Sequence, residues 1–300
     1  MTIPKIYRIL YIALACQGCI TEIPIPNEAQ LYTGPVVHLY IEADSVIAAD
    51  CSEVASISGA VKPETGAQMT LYTKQNGKKN FIQSIPGRYL FTGQPLKARD
   101  SFWIEYQKTN VSFTIAGVVP SHIDFIGVDS LLKTIPGIGP TQAYVVHFKD
   151  SAIDKNYYRL ESYRQVKRYL RNTTGQVIDS NILWESMKID GTNLPFLRNN
   201  YNIYTDKEIL FTDETFNGVQ SNLTVYNLLP FSNGLNEKTL AVKLILENLS
   251  VPLYQYYNSR AAHLWQQKSI TQLPMPLNGN IPDGYGVLGA FTKVEWIVNY

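Results

Sequence analysis

Asp213, Glu214 and Asn217 form the most suggestive acidic group in this 300-residue sequence, set in the turn-like stretch FTDETFNG at residues 211–218. Carboxylates and an amide this close could ligate a hard cation such as calcium, yet the spacing is not that of a twelve-residue calcium loop. Short acidic side chains in turns far more often cap the turn through their own backbone amides. Adjacent residues of a strand also point to opposite faces, so this pair makes no ready acid–base couple. The expectation is a turn cap and no metal.

The four histidines, His38, His122, His147 and His263, stand far apart in the sequence. No Gly-x-Ser-x-Gly elbow and no His-Glu-x-x-His motif is present. His38 lies in a strand-like run and reads as a surface or hydrogen-bonded residue. His263 falls one step off the apolar stripe of a helix and reads as solvated. Cys51 lacks the signature of an activated thiol. The stretch PGIGP at residues 136–140 lacks the Lys-Ser/Thr ending of a phosphate loop and reads as a turn. These residues point away from an enzyme, and no cofactor is expected.

Tyrosine is abundant, with 20 in the chain. Tyr157, Tyr158, Tyr163, Tyr254, Tyr256, Tyr257 and Tyr285 could offer stacking and hydroxyl contacts to a sugar or peptide. Tyrosine is also the common half-buried residue of sheets, which is the expected role of most of them. Asp283 and Tyr285 stand out in the glycine-rich stretch NGNIPDGYGVLGAF (278–291), where Asn-Gly and Asp-Gly are turn signals. Glycine there lets another backbone approach closely. The sequence suggests that this loop and the 211–218 turn form one exposed edge that contacts a partner.

The elements that must position these residues read mainly as strands. Runs at residues 36–41, 69–73, 81–85, 88–91, 101–106 and 111–116 alternate or are β-branched and aromatic. Turn signals separate them, among them Asn76-Gly77. Short strands at this spacing suggest a β-sandwich. A boundary follows near residues 118–121. A second β region then holds strands at 143–150, 157–164, 209–212 and 238–246, with a short helix expected at 181–188 and loop at 199–203. Leu253, Tyr254, Tyr257, Ala261, Leu264 and Trp265 recur at steps of three and four, which predicts an amphipathic helix over 251–267 with that stripe buried. Residues 294–300 close the chain as a strand.

Lys plus Arg number 26 against 25 Asp plus Glu. No field of one sign exists to attract nucleic acid, so none is expected as a partner. The amino terminus has Lys5 and Arg8 before an apolar run at 9–15, the pattern of a secretory signal, and the run is too short to span a bilayer. Cys16 and Cys19 follow in lipobox-like contexts. Gly18 before Cys19 favours Cys19 as the acylated residue, which leaves Cys51 alone in the mature chain. Acylation of Cys16 would instead leave Cys19 and Cys51 able to pair. Residues 20–32, with Pro24 and Pro26, read as an extended tether.

CITEIPIP from Cys19, PGRY near residue 87, TyrTyrArg at 157–159, FTDETFNG, LYQYYNS and NGNIPDGYGVLGAF occur here in one order. In this the chain resembles the Bacteroidota outer-membrane lipoproteins grouped as domain of unknown function 4249, over most of its mature length. The strands of its amino-terminal part are less recognisable. The resemblance implies a lipid-anchored envelope protein, often encoded beside TonB-dependent receptors, and brings no catalytic residues with it. The expected architecture is all-β: two sandwich-like (immunoglobulin/fibronectin-like) domains at 33–120 and 121–300, after a signal peptide at 1–19 and the tether. The expected function is a non-enzymatic, membrane-anchored accessory or binding protein serving a TonB-dependent outer-membrane receptor. A structural or adhesion module is the alternative, and a hydrolase acting on glycan or peptide comes third. The expected contact residues are Asp213, Glu214, Asn217, Asp283 and Tyr285.

Overall fold

In a computed structural model, the described residues are 34–53, 61–135, 139–190, 208–227, 236–266 and 276–300. Cys19, with the signal peptide and the tether, lies outside them, as do residues 136–138 and the expected loop at 199–203.

The first half contains β1 (Pro35–Glu42), β2 (Ala48–Glu53), β3 (Lys62–Pro63), β4 (Gln68–Thr73), β5 (Gly77–Ile85), β6 (Arg88–Phe91), β7 (Ser101–Lys108) and β8 (Val111–Val118). Period-two alternation decides which side faces in. Val37, Leu39 and Ile41 of β1, Met69 and Leu71 of β4, and Phe102, Ile104 and Tyr106 of β7 are all buried. β5 serves two neighbours: residues 77–80 pair with β4, and Phe81–Ile85 with β6. Pairing therefore runs β1-β2-β6-β5-β4-β7-β8, around one hydrophobic cluster.

The second half has β9 (Asp124–Ile135), β10 (Gly139–Lys149), β11 (Tyr157–Arg171), β12 (Val177–Ser186), β13 (Ile189–Asp190), β14 (Glu208–Thr212), β15 (Gln220–Asn227), β16 (Glu237–Leu249) and β17 (Tyr285–Asn299). One sheet has the order β13-β15-β10-β9, and the facing strands run β12-β11-β16-β17 with β14 also on β11. Tyr144, Phe148, Tyr158, Phe211, Leu223 and Val242 fill the space between.

β17 joins the halves. It runs parallel to β1, from Tyr285 opposite Val36 to Phe291 opposite Glu42, and antiparallel to β16, from Phe291 opposite Leu249 to Asn299 opposite Ala241. Leu288 and Ala290 belong to the first core, while Val294 and Val298 pack on the second.

The helix α1 (Val251–Gln266) is the one helix among the described residues and lies on the outer face of this junction. Leu253, Tyr254, Tyr257 and Ala261 are buried as expected, against Leu210, Val287 and Phe291. Leu264 is 52% exposed, against expectation. The stripe loses its cover in the last turn, and the Trp265 side chain lies outside what is described.

The helix expected at 181–188 is β-structure instead. Residues 177–186 are β12, in register with β11 from Tyr163–Ser186 to Arg171–Val177. Ile182 and Trp184 sit two apart on one face, and the Asn172–Gln176 turn folds the strand back on β11. Just past the expected boundary at 118–121, Asp124–Ile135 forms the long strand β9, which was not among the expected strands.

Candidate functional site

The acidic turn is a structural joint. β14 ends at Thr212, and Asp213 is 2% exposed. Its Oδ2 accepts the backbone amide of Asn156 at 2.7 Å and the Asn156 side-chain amide at 3.4 Å. Asp150, also buried, accepts the Tyr158 hydroxyl and the Gly218 amide. Asn248 donates to the Asn156 side-chain oxygen (2.9 Å) and to the Ser121 carbonyl (3.1 Å), which also accepts from the Thr292 hydroxyl (2.8 Å). Burial pushes the Asp213 carboxyl above its ordinary range, with neighbouring Asp150 adding to the push. Gly218 is required here: φ is +74°, and a Cβ would meet that of Ala152 at 2.6 Å. Asp213 thus accepts a backbone amide from a distant loop, that of Asn156. Glu214 is exposed and pairs with Lys155 at 2.8 Å, and Asn217 is exposed. No group of three His, Cys, Asp or Glu able to hold a metal is found among the described residues.

The second candidate is the tip before β17. Asp283 is exposed with φ +48°, and Tyr285 is 48% exposed at the start of the strand. The neighbouring glycines serve closure against β1. A Cβ on Gly286 would lie 2.1 Å from the Val37 carbonyl oxygen, and one on Gly284 2.6 Å from that of Pro35. Asn280 braces the loop by exchanging side-chain bonds with the backbone of Leu288, both 2.8 Å.

These two candidates do not form one edge. Asp213 lies by Asn156, at the level where Asn248 pairs with Thr292. Tyr285 is seven residues back along β17, about 23 Å at 3.3 Å per residue. β11 and β16 also stand between β14 and β17. The shared edge was inferred from turn chemistry alone, and turn chemistry carries no register.

Between the two halves lies a cleft of about 360 Å³, lined in part by Phe102, Ser121, Asn156, Asn248, Val251 and Leu288. Its wall has room for a small molecule but includes no histidine or cysteine.

The sequence model of the family described as Domain of unknown function (DUF4249) matches residues 36–296. The chain belongs to the DUF4249 family. No curated protein matches it. Among solved structures, similarity is found to a DUF4785 family protein from Legionella pneumophila subsp. pneumophila str. Philadelphia 1 (10% identity, TM-score 0.24, covering 69% of this chain and 51% of that one). Bovine butyrophilin is matched at 6% identity and TM-score 0.21, over 71% of this chain and 91% of that one. This chain thus spans about half of the Legionella protein. Likenesses so slight speak to neither fold nor activity.

The DUF4249 match takes in both halves and the joining strand. It also takes in a charge cluster that sequence reasoning missed, on the sheet face beneath α1. Arg159 donates through Nε to Glu247 (2.6 Å) and lies 3.4 Å from Glu208 and 3.5 Å from Glu161. Its guanidinium sits 4.1 Å from the centre of the Tyr257 ring, and that of Arg260 sits 4.7 Å from it. Burial raises the Glu247 carboxyl, opposed by Arg159, and burial likewise raises the Tyr257 phenol. A cation so neutralised and stacked fixes α1 to the sheet.

His38 is part-buried beside Tyr40, and burial lowers its pKa. His147 bridges Asp129 (2.9 Å) and Asn222 (2.7 Å) across three strands. Cys51 is a buried free thiol whose pKa burial pushes up to about 12, so it stays protonated and inert near neutrality. Of the candidate tyrosines, Tyr158, Tyr254, Tyr256 and Tyr257 are buried, Tyr157 and Tyr163 half-buried, and Tyr285 exposed.

Proposed function

We propose that this DUF4249 chain is a lipid-anchored accessory protein of the cell envelope that binds a TonB-dependent outer-membrane receptor in nutrient capture, with no catalysis of its own. The observation that carries this reading is the place of the exposed Asp283–Tyr285 tip. Tyr285 lies opposite Val36, one residue into β1, so the tip sits at the end of the molecule where the chain arriving from Cys19 enters the fold. Residues 20–34 reach at most about 54 Å when fully extended, at 3.3–3.6 Å per residue. An acyl anchor on Cys19 would thus hold this end of the protein near the membrane, where a receptor is met. The lipobox-like sequence and the resemblance to outer-membrane lipoproteins support the same reading.

The test is affinity purification of the full chain from native membranes, with identification of what accompanies it. Recovery of an outer-membrane receptor in stoichiometric amount is expected. Mass spectrometry of the mature amino-terminal peptide should find the acyl groups on Cys19. An unmodified terminus and recovery without any membrane protein would overturn the reading.

A further inference from the structure

The cleft between the two halves is lined by a residue with an acceptor that no protein group satisfies. Asn248 is 2% exposed and belongs to the cleft wall. Its Nδ2 donates to the Ser121 carbonyl and to the Asn156 side chain, both also of the wall, which fixes how the amide is turned. Its Oδ1 has no partner among the described residues. A buried oxygen left unpaired is destabilising, so a donor brought into the cleft is favoured there. The start of α1 has the opposite character. Val251 and Pro252 line the same cleft, and the first turn of the helix contains no acidic residue. Ser250, just before the helix, accepts the Ala290 amide at 3.0 Å instead of capping an amide of α1. The positive end of the helix dipole is thus without a carboxylate. Arg99, exposed in the wall, adds a guanidinium that pairs with no carboxylate among the described residues.

We infer that the cleft binds a free α-amino acid with an apolar side chain. Its carboxylate lies at the start of α1 beside Arg99, and its ammonium donates to Asn248 Oδ1. Asn248 and Val251 are three residues apart, at most about 11 Å of chain, so one small molecule reaches both. Asp154, the one acidic residue of the wall, suits an ammonium as well. Lys155 is also in the wall but is engaged by Glu214 at 2.8 Å. Val118 (52% exposed), Val251 (43%) and Pro252 offer the apolar surface for a side chain. A volume of about 360 Å³ is that of a small-molecule pocket and limits the occupant to one or two residues. A zwitterion answers both ends of the site, whereas a plain acid or a plain amine answers one. The inference does not rest on receptor binding at the Asp283–Tyr285 tip, and either can fail without the other.

Calorimetric titration of the full chain in detergent with L-leucine, L-valine and L-phenylalanine tests this. At least one should bind, at one site per chain. For L-leucine as the binder, leucinamide, which lacks the carboxylate, and 4-methylpentanoate, which lacks the ammonium, should each bind several-fold more weakly; for another binder, its own amide and deamino acid take their place. Val251→Asp puts a carboxylate at the first position of α1, where it supports the helix dipole. Its melting temperature should match or exceed wild type, while binding is lost. Val251→Asn, of similar size and uncharged, should keep most of the binding, and Arg99→Gln should weaken it several-fold. No binding of any of the three amino acids would overturn the inference. So would an amide that binds as tightly as its amino acid, or a folded Val251→Asp chain that binds like wild type.

Discussion

Asn156 donates its backbone amide to the buried carboxylate of Asp213 across 2.7 Å, a bond between residues 57 positions apart. It ties the loop before β11 to the turn after β14, and Asn248 extends the tie to Ser121 at the junction of the two halves. The acidic turn that looks most like chemistry in the sequence is thus spent on architecture.

Asp213→Ala should cost about 1–3 kcal/mol in denaturant titration, because it leaves a buried amide unpaired. Asp213→Asn keeps an acceptor and should cost less. The pH dependence separates the two effects. Burial holds the folded carboxyl above its ordinary value of 3.8, so its contribution is fully present below that value and is lost as pH rises through the folded pKa. The stability of wild type relative to Asp213→Asn should therefore decline as pH rises from 3.8. A flat difference would mean the carboxyl titrates normally.

The two ends of α1 should respond differently to truncation. Leu253→Ala removes a side chain with no exposed surface and should cost about 2–5 kcal/mol. Leu264→Ala, at an exposed site, should stay within about 0.5 kcal/mol. Equal losses would place the last turn of the helix against the protein.

His147 gives a second pH signature, of histidine type. Its hydrogen bond to Asn222, and then its contacts with Asp129, raise its pKa above 6.5. A raised folded pKa contributes stability that is present below the unfolded value and is lost as pH rises through the folded one. Wild type should therefore lose its advantage over His147→Gln across that interval, by a modest amount because the site is partly exposed. NMR titration of the imidazole checks the pKa directly.

The strands with one buried face were legible in the sequence. Val37, Leu39 and Ile41, or Phe102, Ile104 and Tyr106, show the period of two because one side of each run meets a core. β12 was not legible, since both of its faces are largely exposed and no inside face imposes a pattern. Arg159 was missed for the opposite reason. In TyrTyrArgLeuGlu it has the alternation of a solvated face, but its partner Glu247 is 88 residues away and the helix that covers it comes later still. The residues of the Asp283–Tyr285 tip were visible as turn signals. Their distance from the acidic turn follows from the β1–β17 and β16–β17 registers, which local sequence does not encode.

The most direct test of the account is recovery of an outer-membrane receptor with the full chain from native membranes, wild type against Asp283→Lys/Tyr285→Ala. Both side chains are exposed, and the double variant keeps the glycines that close the loop on β1, so it should keep a cooperative melting transition, somewhat below wild type because Lys takes the positive φ of position 283 less readily than Asp. The account predicts that wild type brings the receptor with it and that the double variant, equally folded and equally anchored, does not. A folded double variant that recovers the receptor in the same amount would contradict it.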